Sequence, residues 1–299
     1  MSSLELFFFL ILPPIIFEAG YNVKKKDFFS NFFTIGLYAV IGTIISTLII
    51  GYSVYAIGLM GIASIDTSSP LEALLFGALI SAIDPVATLS ILGSPDINAD
   101  PVCYSLVFGE SVLNDAVAIV LFKTFEGFKE KDFAVDQVFL NFAGISIGSV
   151  VVGIVLGLSN CYLCKHTNMY KYPEYELSIL FLFAYGSYSF SEALHLSGIM
   201  SLFFCGMVMS HYNNTNLSSK SRVTAHNMFK SIAVLCEFYV YLYLGIGIFT
   251  GRMQQFNFLF FLIVMVICFI ARALNTFPLS LIANRFRKKS IRYYYHFII

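Results

Sequence analysis

Apolar runs of about twenty residues recur along the whole chain, and no other feature constrains the fold as much. They lie at about 4–21, 32–60, 73–92, 102–124, 138–163, 175–193, 196–211, 227–249 and 256–283. A helix rises 1.5 Å per residue, so about 20 apolar residues cross the hydrocarbon of a bilayer. A backbone in lipid must satisfy its own N–H and C=O groups, which a helix does within one segment. The runs predict an all-α polytopic membrane protein with about nine transmembrane helices. Composition agrees. The chain is 58% hydrophobic and 12% charged, against about 25% charged in soluble domains. One soluble core cannot hide that much apolar surface. The first run lacks a basic leader and a small-residue cleavage site, so it reads as a span and not as a signal peptide.

Basic residues orient the spans. With the N-terminus outside or luminal, thirteen lysines and arginines fall in cytosolic loops, Lys24, Lys25, Lys26, Lys220, Arg222 and Lys230 among them. Only Lys123, Lys129, Lys131 and Arg252 fall on the opposite side. That is the positive-inside pattern. The orientation places the two N-glycosylation patterns, at Asn213 and Asn216, in the cytosol, where they stay unmodified. Arg272 belongs to neither side, because it sits inside the last run.

Two apolar runs carry charge. In "LVFGESVLNDAVAIVLF" (106–122), helical spacing sets Glu110, Asn114, Ser111 and Asp115 at about 0°, 40°, 100° and 140° around the axis. They form one polar stripe. A charged side chain at the bilayer centre costs about 2.5–3.5 kcal/mol on insertion scales. Hydrogen bonding between helices would need only the serine and the asparagine; two carboxylates point instead to ion handling. In "GALISAIDPVATLSIL" (77–92), Asp84 precedes Pro85. Proline lacks an N–H and disfavours helix in the residue before it, so the helix should break there. A broken membrane helix frees carbonyls and helix ends for cations. Carboxylate, amide and hydroxyl oxygens suit a hard cation such as Na⁺ or K⁺, and no His or Cys cluster suggests a softer metal. A carboxylate that holds either a proton or a cation couples the two.

Other features count for less. Five of the six cysteines lie in or at the ends of apolar runs, as small buried residues do. Cys161 and Cys164 have CxxC spacing without a second ligand pair, so no zinc site is expected. No nucleophile–base set suggests an enzyme, and nothing points to a cofactor or to nucleic acid. Glu192 and His195 fall near a helix end, where His195 reads as solvated or locally hydrogen-bonded.

The ordered set "LPPIIFEAGY", "SAIDPVATLSIL", "FGESVLNDAVAIVL", "LSGIMSLFFCG", "LCEFYVYLYLG" and "RALNTFPLSLIAN" resembles the sodium/hydrogen exchanger family over essentially the whole chain. "VMSHYNNTNLS" is similar to its organellar, Golgi/endosomal branch. The resemblance implies a thirteen-helix inverted-repeat fold working as a homodimer in a Golgi, endosomal or plasma membrane. An ion-carrying core would move against a dimerisation domain, elevator fashion. Residues 1–30 and 175–250 would be dimerisation-type helices, 31–125 and 256–299 the core, and 138–163 a linker helix. Electroneutral exchange of Na⁺ or K⁺ for H⁺ is implied, regulating the pH of the cytosol or an organelle lumen. Asp115 would be the cation and proton carboxylate, with Asn114, Asp84 and Ser111 completing the site. Glu110 would pair with Arg272, and Glu237 and Glu18 would line a cavity. Matched to the family, the chain begins at the third helix and ends as the twelfth starts. It lacks the second broken helix and the cytosolic tail, so a non-transporting chain that associates with longer partners is the alternative expectation.

Overall fold

A computed structural model of the chain describes residues 7–62, 68–83, 85–92, 101–127, 135–167, 172–250 and 257–286. The described residues are almost wholly helical, in two compact units, Met1–Lys25 with Ala143–Gln255 and Lys26–Phe142 with Phe256–Ile299. Asp84 lies outside the described residues, as do Lys129, Lys131, Lys171, Arg252, Arg287, Lys288, Lys289 and Arg292.

The first unit begins with a π-helical turn, Phe7–Ile11, that leads into α1, Leu12–Asn22. Pro13 and Pro14 stand in the first turn of α1, where a missing N–H costs little. The same unit holds most of α8 (Val135–His166), together with α9 (Pro173–Ala193), α10 (Gly198–Asn216) and α11 (Ser219–Phe249). Glycines set how closely these helices approach. A Cβ on Gly20 would strike the Phe203 carbonyl oxygen, and one on Gly153 the Ser201 carbonyl oxygen. Phe17 and Phe229 meet edge to face with ring centroids 4.6 Å apart.

The turn from α9 to α10 is built by backbone geometry. The Leu196 N–H donates to the Ser191 carbonyl at 2.9 Å and the His195 N–H to that of Glu192 at 3.0 Å. His195 has φ 57°. That is a left-handed helix cap, a place where histidine is tolerated better than most residues. Glu192 Oε1 accepts the Gly198 N–H at 2.9 Å, and Ser197 caps α10. The next turn works similarly. The buried carboxylate of Glu176 accepts the Ser218 hydroxyl at 2.8 Å, and Ser218 caps α11.

The second unit runs through α2 (Lys25–Ser30, whose first residue, Lys25, belongs to the first unit), α3 (Phe32–Gly36), a π-helical stretch Leu37–Gly42, and α4 (Thr43–Leu59). It continues through α5 (Leu71–Ser81), α6 (Val86–Leu92) and α7 (Pro101–Glu126), and closes with α12 (Phe258–Phe286). Helix α4 crosses α5 with backbones nearly touching. A Cβ on Gly77 would stand 2.6 Å from the Thr47 carbonyl oxygen, and one on Gly51 would stand 2.8 Å from the Leu74 side chain. Ile50, Val54, Ala73, Val264 and Ala271 fill the apolar centre between α4, α5 and α12.

Five described helical segments are long and apolar enough to span a membrane: Phe32–Leu59, Cys103–Glu126, Leu140–His166, Ser219–Gly247 and Phe258–Arg285. Large apolar side chains stand exposed on α11 and α12, Phe238, Leu242, Phe269 and Leu281 among them. Such surfaces suit hydrocarbon and not water. The chain is an all-α polytopic membrane protein.

Candidate functional site

Helix α5 stops at Ser81, where Ala82 turns extended (φ −70°, ψ 122°), and α6 starts only at Val86. The break falls where Asp84-Pro85 predicts it. Pro85 then supports the restart, its carbonyl accepting the Leu89 N–H at 2.8 Å. Interrupting a helix inside an apolar segment leaves carbonyls at the end of α5 in need of donors.

Helix α7 carries the polar stripe and brings its Asn114 to this break. Glu110, Ser111 and Asn114 are buried, and Asp115 is half-buried. Asn114 Nδ2 reaches the Ser81 carbonyl at 3.4 Å. Its Oδ1 accepts the Thr43 hydroxyl at 2.6 Å. Thr47 donates to Ser81 Oγ at 3.1 Å, and Ser81 Oγ donates to the Ala78 carbonyl at 2.8 Å. One asparagine thus ties together the π-helical entry to α4, the end of α5 and the middle of α7.

One turn before Asn114 on α7, Glu110 meets Arg272 of α12, with Nη1 2.7 Å from Oε1. The carboxylate side chain is only 6% exposed and the guanidinium side chain 26%. Either charge alone would be costly there; together they neutralise each other at hydrogen-bonding distance.

Glu18 and Glu237 belong to the first unit. Glu18 is half-buried on α1 and accepts the Asn22 amide at 2.7 Å, and Asn22 in turn meets His226 Nδ1 at 2.7 Å. Glu237 is exposed on α11.

Several buried polar residues of the second unit carry no charge, so the cost of a buried charge does not mark them in the sequence. They are Thr43, Ser46 and Thr47 on α4, Ser81 on α5, and Asn275 and Thr276 on α12. Asn275 Nδ2 donates to Ser46 Oγ at 3.2 Å, and a Cβ at Gly42 would lie 2.6 Å from Asn275 Oδ1. Hydroxyls at 43, 46 and 47 share one helical face inside an apolar run, and that spacing was the available signal.

A buried ion pair, an anchored amide and an interrupted helix within apolar spans belong to membrane proteins that handle charge inside the bilayer. The chain belongs to the sodium/hydrogen exchanger family: the family described as "Sodium/hydrogen exchanger, transmembrane" matches residues 1–296. The chain is 40% identical over 294 residues to human "Sodium/hydrogen exchanger 8", covering 96% of this chain and 50% of that protein. It is 39% identical over 298 residues to human "Sodium/hydrogen exchanger 9", covering 96% and 46%. An uncharacterized Na(+)/H(+) antiporter of Schizosaccharomyces pombe is 38% identical over 289 residues, covering 95% and 50%. The chain spans about half the length of these curated relatives. It is a multi-pass integral membrane protein of a transporter family, not an enzyme.

Proposed function

We propose that the chain exchanges Na⁺ or K⁺ for H⁺ across a membrane, with Asp115 as the carboxylate that both ions occupy in turn. One observation supports the reading: within a sodium/hydrogen exchanger chain, Asn114, the residue before Asp115 on α7, reaches the end of α5 at the break before α6. Glu110 on the same stripe already has a cationic partner. A single carboxylate holding either one monovalent cation or one proton carries the same charge in both directions. The exchange is then electroneutral, and the Arg272–Glu110 pair, in which each charge already has its partner, contributes nothing to the cycle. Ser111 and the carbonyls of the break supply further oxygens, and Asp84 would join them. On this reading the chain works as a homodimer, in Golgi or endosomal membranes or at the plasma membrane, and sets the pH of the lumen or cytosol. Residues 31–125 and 256–299 would be the moving core and 1–30 with 175–250 the dimerisation part of an elevator.

Reconstitution tests this. The purified chain goes into proteoliposomes with an internal pH dye, and Na⁺ and K⁺ gradients are imposed in turn. A pH change driven by either gradient, unaltered when the membrane voltage is clamped with an ionophore, is the expected result. A correctly folded, reconstituted chain that moves no protons under either gradient would overturn it.

A further inference from the structure

The Asn114 amide bridges two helices. Its Nδ2 points to the Ser81 carbonyl at 3.4 Å, an oxygen that only accepts. In this orientation Oδ1 faces Thr43, and the Thr43 hydroxyl is the donor across that 2.6 Å contact. Thr43 is itself specially placed. It follows the π-helical stretch Leu37–Gly42, and its own N–H bonds the Val40 carbonyl. Its hydroxyl also lies 2.6 Å from the Ala39 carbonyl. One hydroxyl proton thus stands between two acceptors, both buried, and Thr43 is only 3% exposed. π-Helical turns inside α-helices concentrate at functional positions.

We propose that Thr43 is a positioning residue for the ion site: its hydroxyl orients the Asn114 amide, and through it holds the Ser81 end of α5 against α7. The proposal rests on the exchange reading given above, because its kinetic consequence is read on the cation. In this role Thr43 acts through Asn114. It determines where Asn114, the residue before Asp115, stands, and how the last carbonyl of α5 is aimed three residues ahead of Asp84. Outer partners that orient the groups around a metal ion typically change its affinity by about 10–100-fold when removed.

The test compares wild type with Thr43→Ser, which keeps the hydroxyl, and Thr43→Val, which keeps the shape and loses it. In proteoliposomes Thr43→Val should raise the half-saturating Na⁺ or K⁺ concentration about tenfold and displace the pH midpoint of exchange, and Thr43→Ser should stay close to wild type. Unchanged half-saturation and pH midpoint in Thr43→Val would overturn the assignment. So would a fall in maximal rate alone, matching a loss of folded protein. A second measurement needs no transport: thermal midpoints of Thr43→Ala, Asn114→Ala and the double variant in detergent. The double variant should lose clearly less than the two single losses combined, since removing either partner already breaks the contact. Strictly additive losses would overturn the assignment even if Thr43→Val fails to fold. A wild-type chain that does not exchange defeats the transport reading, whereas the thermal cycle still decides the contact between Thr43 and Asn114.

Discussion

Arg272 Nη1 stands 2.7 Å from Glu110 Oε1, joining α12 to α7 through two charges inside apolar helices. Removing one partner of a buried pair strands the other, at about 3–5 kcal/mol in well-buried cases. The quarter-exposed guanidinium places this pair toward the lower end. Glu110→Gln and Arg272→Gln should each lower the thermal midpoint in detergent. The double substitution should recover part of the loss, because it leaves no lone charge. Additive losses across the four proteins would show that the pair carries no coupling.

Asp115 gives the sharpest functional expectation. Asp115→Asn keeps the shape and removes the titratable group, so exchange should disappear while expression and thermal midpoint stay near wild type. Asp115→Glu keeps the charge but moves it by one methylene, and should leave partial exchange with a displaced pH profile. Dye-quench assays on purified, reconstituted variants check both. Antiport near the wild-type rate in Asp115→Asn would remove this residue from the mechanism.

The general architecture was readable because bilayer thickness turns length and hydropathy into spans. The interruption at 82–85 was readable because proline acts locally. Charged residues in apolar runs announced themselves by their cost, which is how Glu110, Asp115 and Arg272 stood out. That Glu110 meets Arg272 was legible only through the family resemblance, as the two are far apart in the chain. Thr43 and Ser81 escaped notice for a different reason. A hydroxyl in a membrane helix can satisfy itself on a carbonyl one turn back, as Thr124 does on Val120 at 2.7 Å, so the shared face of Thr43, Ser46 and Thr47 is a weak signal that names no partner. Only the fold shows that the Thr43 hydroxyl also meets an amide on another helix. The seventh apolar run ends near residue 211, but α10 continues to Asn216. Polar residues there read as a loop, yet a neighbouring helix supplies partners for their amides.

Lys25, between the first two apolar runs, donates to Ser210 Oγ at 2.6 Å. Burial pulls its ammonium below the usual lysine value of 10.5. The folded state therefore holds this proton less tightly than the unfolded chain does. Below the lowered folded value both states are protonated and the burial cost is fully present. From that value up to about 10.5 the unfolded chain binds more protons, so stability rises with pH across this window. Thermal midpoints of wild type and Lys25→Met, measured in detergent at closely spaced alkaline pH values, isolate the effect. The wild type should gain on the variant as pH climbs. Parallel curves would show that Lys25 has no such linkage.

The last expectation concerns Asn213 and Asn216, the two N-glycosylation patterns. Asn213 is fully buried on α10, and its Nδ2 donates to Asn160 Oδ1 at 2.9 Å. Asn216 Nδ2 reaches the Cys161 carbonyl at 3.4 Å. Both amides thus face α8 from the last turn of a helix. A glycan on Asn213 would occupy space that α8 fills, so the folded chain has no room for one. The distribution of basic residues independently predicts a cytosolic position for this end of α10, away from the glycosylation machinery. Both arguments predict an unmodified protein. Expressed in mammalian cells and treated with an endoglycosidase, the chain should show no change in mobility. A shift that vanishes in the Asn213→Gln, Asn216→Gln double variant would reverse the orientation of the spans. If the modified residue were Asn213 itself, it would also contradict the packing of α10 on α8. The same double variant tests that packing independently of any sugar. Glutamine is one methylene longer than asparagine and has no room beside Asn160, so overpacking should destabilise the first unit by about 1–3 kcal/mol. A thermal midpoint equal to wild type would mean that the Asn213–Asn160 contact contributes nothing to the fold.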